Sequence, residues 1–200
     1  MELKKLNLMK RLNGSSKIKT AVFISGTGSN LKNLINFSKS KKSPITINCV
    51  ISSKRKIKGL YYAKKNKIFN KVFKFEKNDE IKIVKLLKKN EIKLICLAGF
   101  MKILSKNFIQ KFNGKILNIH PSLLPKFKGL NTHERAISNN EKFSGCTVHY
   151  VNSKLDSGRI ILQKKVRIYR KDNPNSLATR VLKQEHALYI KAIIKEFSNP

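Results

Sequence analysis

The sequence predicts an α/β protein with a single doubly wound, mostly parallel sheet, a C-terminal antiparallel hairpin and a closing helix. Over most of the chain, apolar runs typical of buried strands alternate with amphipathic stretches typical of helices. The alternation then stops, and two strand-like runs follow each other across a loop rich in Asn, Ser, Asp and Gly. One long amphipathic stretch follows the hairpin and is expected to close the fold.

The alternation predicts five strands, each followed by a helix. The strands are predicted at residues 20–25, 46–52, 71–75, 94–98 and 116–120. The helices are predicted at residues 29–39, 58–65, 79–89, 105–111 and 133–139. Strands joined through helices run parallel and place those helices on the faces of the sheet. The hairpin strands are predicted at residues 146–151 and 159–166, and the closing helix at residues 175–197.

The domain organisation follows from length and composition. Two hundred residues are enough for one domain with a sizeable core, and residues 17–200 contain no linker and no internal repeat. Residues 1–16 are basic and polar, so we expect a disordered extension rather than a secretory signal. No run approaches the ~18 apolar residues of a membrane helix. Three cysteines without Cys-x-x-Cys spacing indicate reduced thiols, a cytoplasmic location and no metal site.

The formal net charge of +33 comes from 44 basic residues against 11 acidic ones. Only seven of the basic residues are arginine, and the lysines accompany abundant Ile and Asn, all of which have A/T-rich codons. Mutational bias and a surface selected for polyanions both explain this composition, and both predict salt-sensitive adhesion to polyanions. Because the lysines are diffuse rather than clustered with Arg and aromatic residues, we expect no specific nucleic-acid partner and no membrane partner.

A glycine-rich segment, Ser25-Gly26-Thr27-Gly28-Ser29-Asn30, joins the first predicted strand to the first helix. Backbone amides at such a helix N-terminus can bind an anion, which makes Gly28, Ser29 and Asn30 candidates for a phosphate site. The segment lacks the third glycine of a dinucleotide fingerprint and the lysine of a P-loop. A tight turn with Ser29 as helix N-cap is the alternative interpretation.

The fourth predicted strand ends in residues 97–104, with the sequence LAGFMKIL. Small residues at that point open space at the carboxyl edge of the sheet. A flat aromatic pocket there could be lined by Phe100, Met101, Ile103 and Leu104. An ordinary strand–helix junction with apolar packing explains the same residues.

The fifth strand delivers Asn118 and His120 to the same edge of the sheet, and Asp156 follows 36 residues after His120. An amide and a protonated imidazole can both donate to an oxyanion that forms at a carbonyl carbon. The carboxylate of Asp156 would favour the charged imidazolium or order a water. A structural histidine beside a proline-rich turn is the alternative. His149 is expected to be structural, and Glu185 is either a solvated helix residue or an acceptor for a substrate hydroxyl or amine.

Several segments in this order are characteristic of one enzyme family: residues 24–31 (ISGTGSNL), 97–105 (LAGFMKILS), 117–125 (LNIHPSLLP), 129–136 (GLNTHERA), 156–163 (DSGRIILQ) and 184–187 (QEHA). They resemble the phosphoribosylglycinamide formyltransferases, folate-dependent enzymes of purine synthesis. The resemblance extends over about residues 17–197. It implies formyl transfer from 10-formyltetrahydrofolate to the amine of N1-(5-phospho-D-ribosyl)glycinamide, by direct attack through a tetrahedral intermediate and without a metal.

The resemblance also implies roles for individual residues. The catalytic trio is Asn118, His120 and Asp156. The substrate phosphate is implied to bind Gly28, Ser29 and Asn30, and Glu185 is implied to contact the ribose or amine. The folate ring is implied to bind Met101, Lys102, Ile103 and Leu104. Departures from the family pattern at Thr27, Ser157 and Arg159 are expected to affect binding more than chemistry.

Other functions remain as alternatives at this point. Methionyl-tRNA formyltransferases share the Asn-His-Asp trio but normally carry a further RNA-binding domain. Formyltetrahydrofolate deformylases share the fold and usually have a second histidine where Pro121 stands. A polyanion-binding module without enzymatic activity would show clustered Arg and aromatic residues. We expect small-molecule substrates and a monomer or homodimer.

Overall fold

The computed structural model describes residues 17–76 and 78–198. The extension expected at residues 1–16 lies outside the described residues. The strands are β1 Ile18–Ile24, β2 Ile45–Ser52, β3 Phe69–Val72, β4 Leu94–Leu97, β5 Lys115–His120, β6 Phe143–Tyr150 and β7 Ile160–Arg167. The helices described are α1 Ser29–Ser38, α2 Lys58–Lys65, α3 Asp79–Lys89, α4 Lys106–Lys111, α5 Thr132–Ser138 and α6 Pro174–Phe197.

The seven strands form one sheet in the order β3-β2-β1-β4-β5-β6-β7. Strands β1 to β5 pair in parallel, whereas β6 pairs antiparallel with both β5 and β7. The predicted fold class is therefore confirmed. The strand order changes direction between β1 and β4, and such a switch point opens a crevice at the carboxyl ends of the strands.

Alternating residues of the central strand β1 explain why helices cover both faces. Val22 and Ile24 belong to a buried cluster with residues of α1 and α6. Ala21 and Phe23 point to the opposite face and belong to a cluster with residues of α3 and α4. Because residues 20–24 of β1 are buried on both faces, residues 21–24 form a continuous apolar run rather than an alternation of polar and apolar residues.

Strand β3 is displaced from its predicted position. It was predicted at residues 71–75 and lies at Phe69–Val72. Phe75 has φ of 60°, a left-handed conformation that no strand residue adopts, so the strand ends before it. Phe73 and Phe75 still pack against the core, and this packing explains why their apolar pattern resembles a strand.

Helix α6 closes the fold and also supports the end of the sheet. Asn173 accepts a hydrogen bond from the backbone of Ser176, and Pro174 occupies the first turn, so the start of the helix is strongly specified. Tyr189 is fully buried, and its hydroxyl contacts the carbonyl oxygens of Leu97 and Leu117, each at 3.1 Å. This contact joins the end of β4 to the middle of β5, close to the candidate site.

Two further observations concern only residues 17–76 and 78–198. No helix among them is both long enough and apolar enough to cross a membrane. No three of their His, Cys, Asp or Glu side chains are grouped in a way that could hold a metal ion.

Candidate active site

A cleft with a volume of about 580 Å³ opens at the carboxyl ends of β4 and β5. Asn118 and His120 reach it from the end of β5, and Asp156 reaches it from the loop between β6 and β7. The segment after β4 supplies a further wall with Met101, Lys102 and Ile103. Residues far apart in the chain therefore meet at the switch point of the sheet.

His120 is buried, and acceptors lie on both sides of its ring. The Nε2 atom lies 2.9 Å from the carbonyl oxygen of Phe127, which can only accept, so Nε2 carries a proton. The Nδ1 atom lies 3.4 Å from Oδ2 of Asp156. A proton on Nδ1 therefore has the Asp156 carboxylate beside it as an acceptor. At 3.4 Å the Nδ1–H group also remains able to donate to a substrate oxygen beside Asp156.

The segment that follows His120 is held against the sheet, which fixes the position of the Phe127 carbonyl. Thr147 on β6 donates from its hydroxyl to the carbonyl of Ser122 at 2.7 Å. The same hydroxyl oxygen accepts from the backbone of Leu124 at 3.2 Å. Gln163 on β7 donates to the carbonyl of Leu124 at 2.8 Å. The antiparallel pair β6–β7 therefore supports the wall of the cleft.

Asn118 is oriented by a histidine that the sequence indicated to be structural. His149 stands directly opposite Asn118 in the β5–β6 register. Its Nδ1 atom lies 2.7 Å from the Tyr150 carbonyl and must donate to it, so the unprotonated Nε2 accepts from Asn118 Nδ2 at 3.2 Å. Burial lowers the pKa of His149, and the nearby His120 lowers it further. A neutral His149 therefore holds one amide hydrogen of Asn118 and leaves the other to the cleft.

Asp156 is held in an unfavourable backbone conformation. Its φ is 43°, in the left-handed region that non-glycine residues rarely adopt, and such strain persists only where the surroundings enforce it. The amide of Gly129 donates to Asp156 Oδ2 at 2.8 Å. Oδ1 lies 3.8 Å from His149 Nε2. The carboxylate therefore contacts both histidines of the site.

Of the four residues implied to contact the folate ring, three are exposed and one is buried. Met101, Lys102 and Ile103 are exposed in the cleft, with Met101 at 65% and Ile103 at 75%. Leu104 is buried in the core beneath them but also lines a smaller cavity of about 90 Å³ beside the cleft. That cavity separates the segment after β4 from the loop that carries Asp156.

The glycine-rich turn does not line the cleft, and its geometry has a packing reason. Gly28, not Ser29, is the N-cap of α1, with φ of 76°. A Cβ atom at Gly28 would lie 2.5 Å from the Cα of Gly59, so the turn is in direct contact with α2. Ser25, at the end of β1, accepts from the backbone of Met101 at 2.9 Å and thereby connects this turn to the cleft wall.

Asn30 and Glu185 form a buried pair although 155 residues separate them. Asn30 Nδ2 donates to Glu185 Oε2 at 2.7 Å, and Oδ1 of Asn30 is buried without a partner among the described residues. Burial raises the pKa of Glu185, and the hydrogen bond from Asn30 offsets part of that effect. A buried carboxylate beside a glycine-rich turn can accept from a hydroxyl or an amine of a bound molecule.

The sequence indicated the trio but not its supports. His149, Tyr189 and Ser25 each hold a residue of the cleft, and only their spatial neighbours show it. The signal for His149 was its place in an apolar strand, and the signal for Tyr189 was an aromatic residue with a polar end inside an apolar helix face. Taken together, the site combines an amide donor, an imidazole and a carboxylate, which is the set needed to stabilise an oxyanion and to move a proton.

The comparisons with known proteins agree with this chemistry. Residues 18–193 match the family described as formyl transferase. The chain is 45% identical over 185 residues to the phosphoribosylglycinamide formyltransferase of Haemophilus influenzae, with 90% of this chain and 87% of that protein covered. The chain is also 44% identical over 182 residues to the human trifunctional purine biosynthetic protein adenosine-3, and this match covers 88% of the chain but 18% of the human protein.

Solved structures show the same relationship. The phosphoribosylglycinamide formyltransferase of Brucella melitensis superposes with a TM-score of 0.86 at 40% identity, covering 92% of this chain and 98% of that chain. The corresponding enzyme of Anaplasma phagocytophilum gives a TM-score of 0.84 at 42% identity, covering 89% and 85%.

The chain therefore belongs to the formyl transferase family. Enzymes of this family use 10-formyltetrahydrofolate as co-substrate. Within the family the chain groups with the phosphoribosylglycinamide formyltransferases, enzymes of purine biosynthesis. The resemblance stated from the sequence motifs is confirmed, whereas the comparison with the human protein concerns one segment of that longer chain.

Proposed function

We propose that this chain transfers the formyl group of 10-formyltetrahydrofolate to the amine of N1-(5-phospho-D-ribosyl)glycinamide, with Asn118, His120 and Asp156 around the reacting carbon. The observation that carries the assignment of these residues is their convergence on one cleft, with His120 Nδ1 3.4 Å from Asp156 Oδ2. Family membership supports the reaction, and the geometry of the cleft supports the roles.

The reaction begins when the neutral amine nitrogen attacks the formyl carbon. A carbon–nitrogen bond forms, and the carbonyl electrons move to oxygen. Asn118 Nδ2 and the protonated Nδ1 of His120 donate to that oxyanion, so their interaction is stronger in the transition state than in the ground state. The tetrahedral intermediate then breaks its bond to N10 of the folate.

The formyl transfer also moves one proton. The attacking amine gives up one proton and N10 of the departing tetrahydrofolate takes up one. Asp156 accepts the amine proton directly or through an ordered water and passes it to N10 as the carbon–N10 bond breaks, so the carboxylate is regenerated. No covalent bond between enzyme and formyl group forms, since the amine attacks the formyl carbon itself.

The co-substrate ring is proposed to lie between the segment after β4 and the loop that carries Asp156. The exposed Met101, Lys102 and Ile103 and the buried Leu104 support this position, because together they border both the cleft and the adjoining cavity. An apolar wall with backbone groups at its edge suits a flat heteroaromatic ring.

The ribonucleotide is proposed to bind through its phosphate at Gly28, Ser29 and Asn30, where the N-terminus of α1 supplies backbone amides. Glu185 is proposed to accept from its ribose or amine. The buried Asn30–Glu185 hydrogen bond supports this assignment because it joins the phosphate site to the carboxylate.

The remaining proposals concern the whole chain. Residues 17–200 are proposed to be the catalytic domain. Three buried thiols without disulfide bonds, Cys49, Cys96 and Cys146, support a cytoplasmic location, and burial raises the pKa of each to about 12. A monomer or homodimer is also proposed, and the lack of a specific nucleic-acid partner is proposed from the diffuse distribution of lysine.

The test is a direct assay in which the absorbance of the released folate is followed with the ribonucleotide as acceptor. His120→Ala is expected to lower kcat by at least ~100-fold while the melting temperature is retained. Asp156→Asn is expected to lower kcat and to change its pH profile, because the carboxylate that faces His120 Nδ1 and accepts the amine proton is lost. Asp79→Asn, on α3, is the matched control. Turnover of His120→Ala close to that of the unsubstituted protein would contradict the assignment.

A further inference from the structure

The loop that carries Asp156 is closed at its base by three side chains that line neither the cleft nor the smaller cavity. Arg159, at the end of the loop, places Nη2 3.3 Å from Oε2 of Glu196 on α6. The guanidinium carbon lies 4.7 Å from the ring centre of Tyr150, the last residue of β6. The Tyr150 hydroxyl donates to the same Glu196 carboxylate. Each of the three side chains therefore contacts both of the others.

This cluster is well suited to keep its geometry. The Glu196 side chain is only 12% exposed, so its charge is largely removed from water and depends on its two partners. Burial raises the pKa of Tyr150 to about 12, and the Glu196 carboxylate raises it as well, so the hydroxyl remains a donor over the working pH range. The planar guanidinium both stacks on the ring and donates to the carboxylate, which lysine cannot do.

The backbone at the base of the loop is equally constrained. The amide of Tyr150 donates to the carbonyl of Arg159 at 2.9 Å. A Cβ atom at Gly158 would lie 1.7 Å from the Tyr150 carbonyl oxygen, so the two strands approach as closely as backbones can. Residues 151–158 therefore leave the sheet and return to it at adjoining positions.

Within that loop, few contacts hold Asp156 in its strained conformation. Residues 152–155 and Ser157 are exposed, and the φ of Asp156 is 43°. The groups that face its carboxylate are His120 of β5, His149 of β6 and the amide of Gly129. Lys128 approaches the loop only through its contact with the Ser157 hydroxyl. The base of the loop and the hydrogen bond from the Gly129 amide are therefore the contacts through which the rest of the protein constrains the position of Asp156.

We infer that Arg159 is a positioning residue: with Tyr150 and Glu196 it fixes the base of the loop and so holds Asp156 against His120. This inference rests on the role proposed above for Asp156. From the sequence, Arg159 is a departure from the family pattern that is expected to affect binding. The inference gives this residue a different role. The contact with α6 makes the geometry of the trio depend on the closing helix.

The test compares Arg159→Gln with Arg167→Gln, which removes the same charge from an exposed arginine at the far end of β7. Arg159→Gln is expected to lower kcat about fivefold, because small displacements of a catalytic group lower the rate steeply. The pH profile of its kcat is expected to change in the same sense as that of Asp156→Asn, while the KM for the ribonucleotide stays within about twofold. Arg167→Gln is expected to change none of these quantities.

Two further variants separate positioning from folding. The double variant Arg159→Gln with Glu196→Gln is expected to lose no more activity than either single variant, since both remove one interaction. Exchange of the charges, Arg159→Glu with Glu196→Arg, is expected to restore part of kcat. Tyr150→Phe removes only a hydroxyl, and it serves as the test if an Arg159 variant fails to fold.

The outcomes distinguish this inference from the proposed function. If Asp156→Asn leaves kcat and its pH profile unchanged, the proposed role of Asp156 is wrong, and this inference falls with it. If Asp156→Asn acts as expected but Arg159→Gln matches Arg167→Gln in kcat and pH profile, only the inference is wrong. A loss of melting temperature in Arg159→Gln without a change in the pH profile also overturns it, because the cluster would then be structural alone.

Discussion

The buried carboxylate of Glu185 leads to a prediction in which stability and activity change in opposite directions. Glu185 is 8% exposed and receives one hydrogen bond, from Asn30 Nδ2 at 2.7 Å. The substitution Glu185→Gln keeps the shape and that acceptor, removes the charge and adds an amide donor. The new amide donor would face the Asn30 side chain, whose Oδ1 is buried without a partner among residues 17–76 and 78–198.

The magnitude follows from that unsatisfied oxygen. Giving a partner to one buried acceptor is worth about 1 kcal/mol, which in a protein of this size raises the melting temperature by roughly 2–4 °C. Removal of a desolvated charge acts in the same direction. Binding of the ribonucleotide changes the other way: a hydrogen bond to a charged acceptor is worth about 1.5–3 kcal/mol, so KM is expected to rise by about 10- to 100-fold.

The pH dependence has a definite sign. Burial raises the pKa of Glu185 above the ordinary value of 4.5, partly offset by the hydrogen bond from Asn30. Its contribution to stability is therefore present below pH 4.5 and is lost as the pH rises through the higher pKa of the folded state. The gain in melting temperature of Glu185→Gln is accordingly expected to be largest at neutral and alkaline pH and to shrink towards pH 4.5.

The assay is thermal unfolding at a series of pH values together with steady-state kinetics in both substrates. Glu76→Gln, an exposed carboxylate, is the control and is expected to change neither quantity. A melting temperature that falls, or a gain that does not depend on pH, would refute the account of the buried pair. An unchanged KM for the ribonucleotide would refute the contact between Glu185 and the substrate.

Three other predictions follow from the same site. Ser29→Asp adds a negative charge at the first residue of α1, so KM for the phosphorylated substrate is expected to rise by at least ~30-fold with no loss of melting temperature; an unaffected KM would place the phosphate elsewhere. Gly28→Ala is expected to destabilise the fold by about 1–3 kcal/mol, because Gly28 has a φ of 76° and contacts Gly59. Gly26→Ala is expected to be tolerated, and equal melting temperatures for the two variants would contradict this prediction. Burial lowers the pKa of His149 below 6.5, so the stability that this residue contributes is present above pH 6.5 and is lost as the pH falls through the lower pKa of the folded state. His149→Gln is therefore expected to make the decline in melting temperature at acid pH less steep. An equally steep decline in the variant would contradict this prediction.

The elements of the fold were determined by local sequence. The alternation of apolar and amphipathic stretches depends on neighbours along the chain. It predicted the order of the described strands and helices, with β3 displaced and β6 beginning at Phe143 rather than at residue 146. That displacement, at β3, has a local cause that composition does not reveal, since Phe75 adopts a left-handed conformation while still packing in the core. The position of Asn118 and His120 at the end of an apolar strand was readable for the same reason, because strand ends in parallel sheets meet at one edge.

The contacts that make the site work were decided by the tertiary structure. Asp156 lies against His120 because β6 pairs antiparallel with β5 and the loop beyond it folds back over the cleft. The same register places His149 opposite Asn118, and only packing of α6 on α1 brings Glu185 to Asn30. The periodicity of the sequence indicates on which face of its strand or helix a residue lies. A contact between residues that are distant in the sequence depends instead on how the whole sheet and its helices pack. Residue type and spacing therefore predicted the trio, and its orientation depends on partners that only the folded chain brings together.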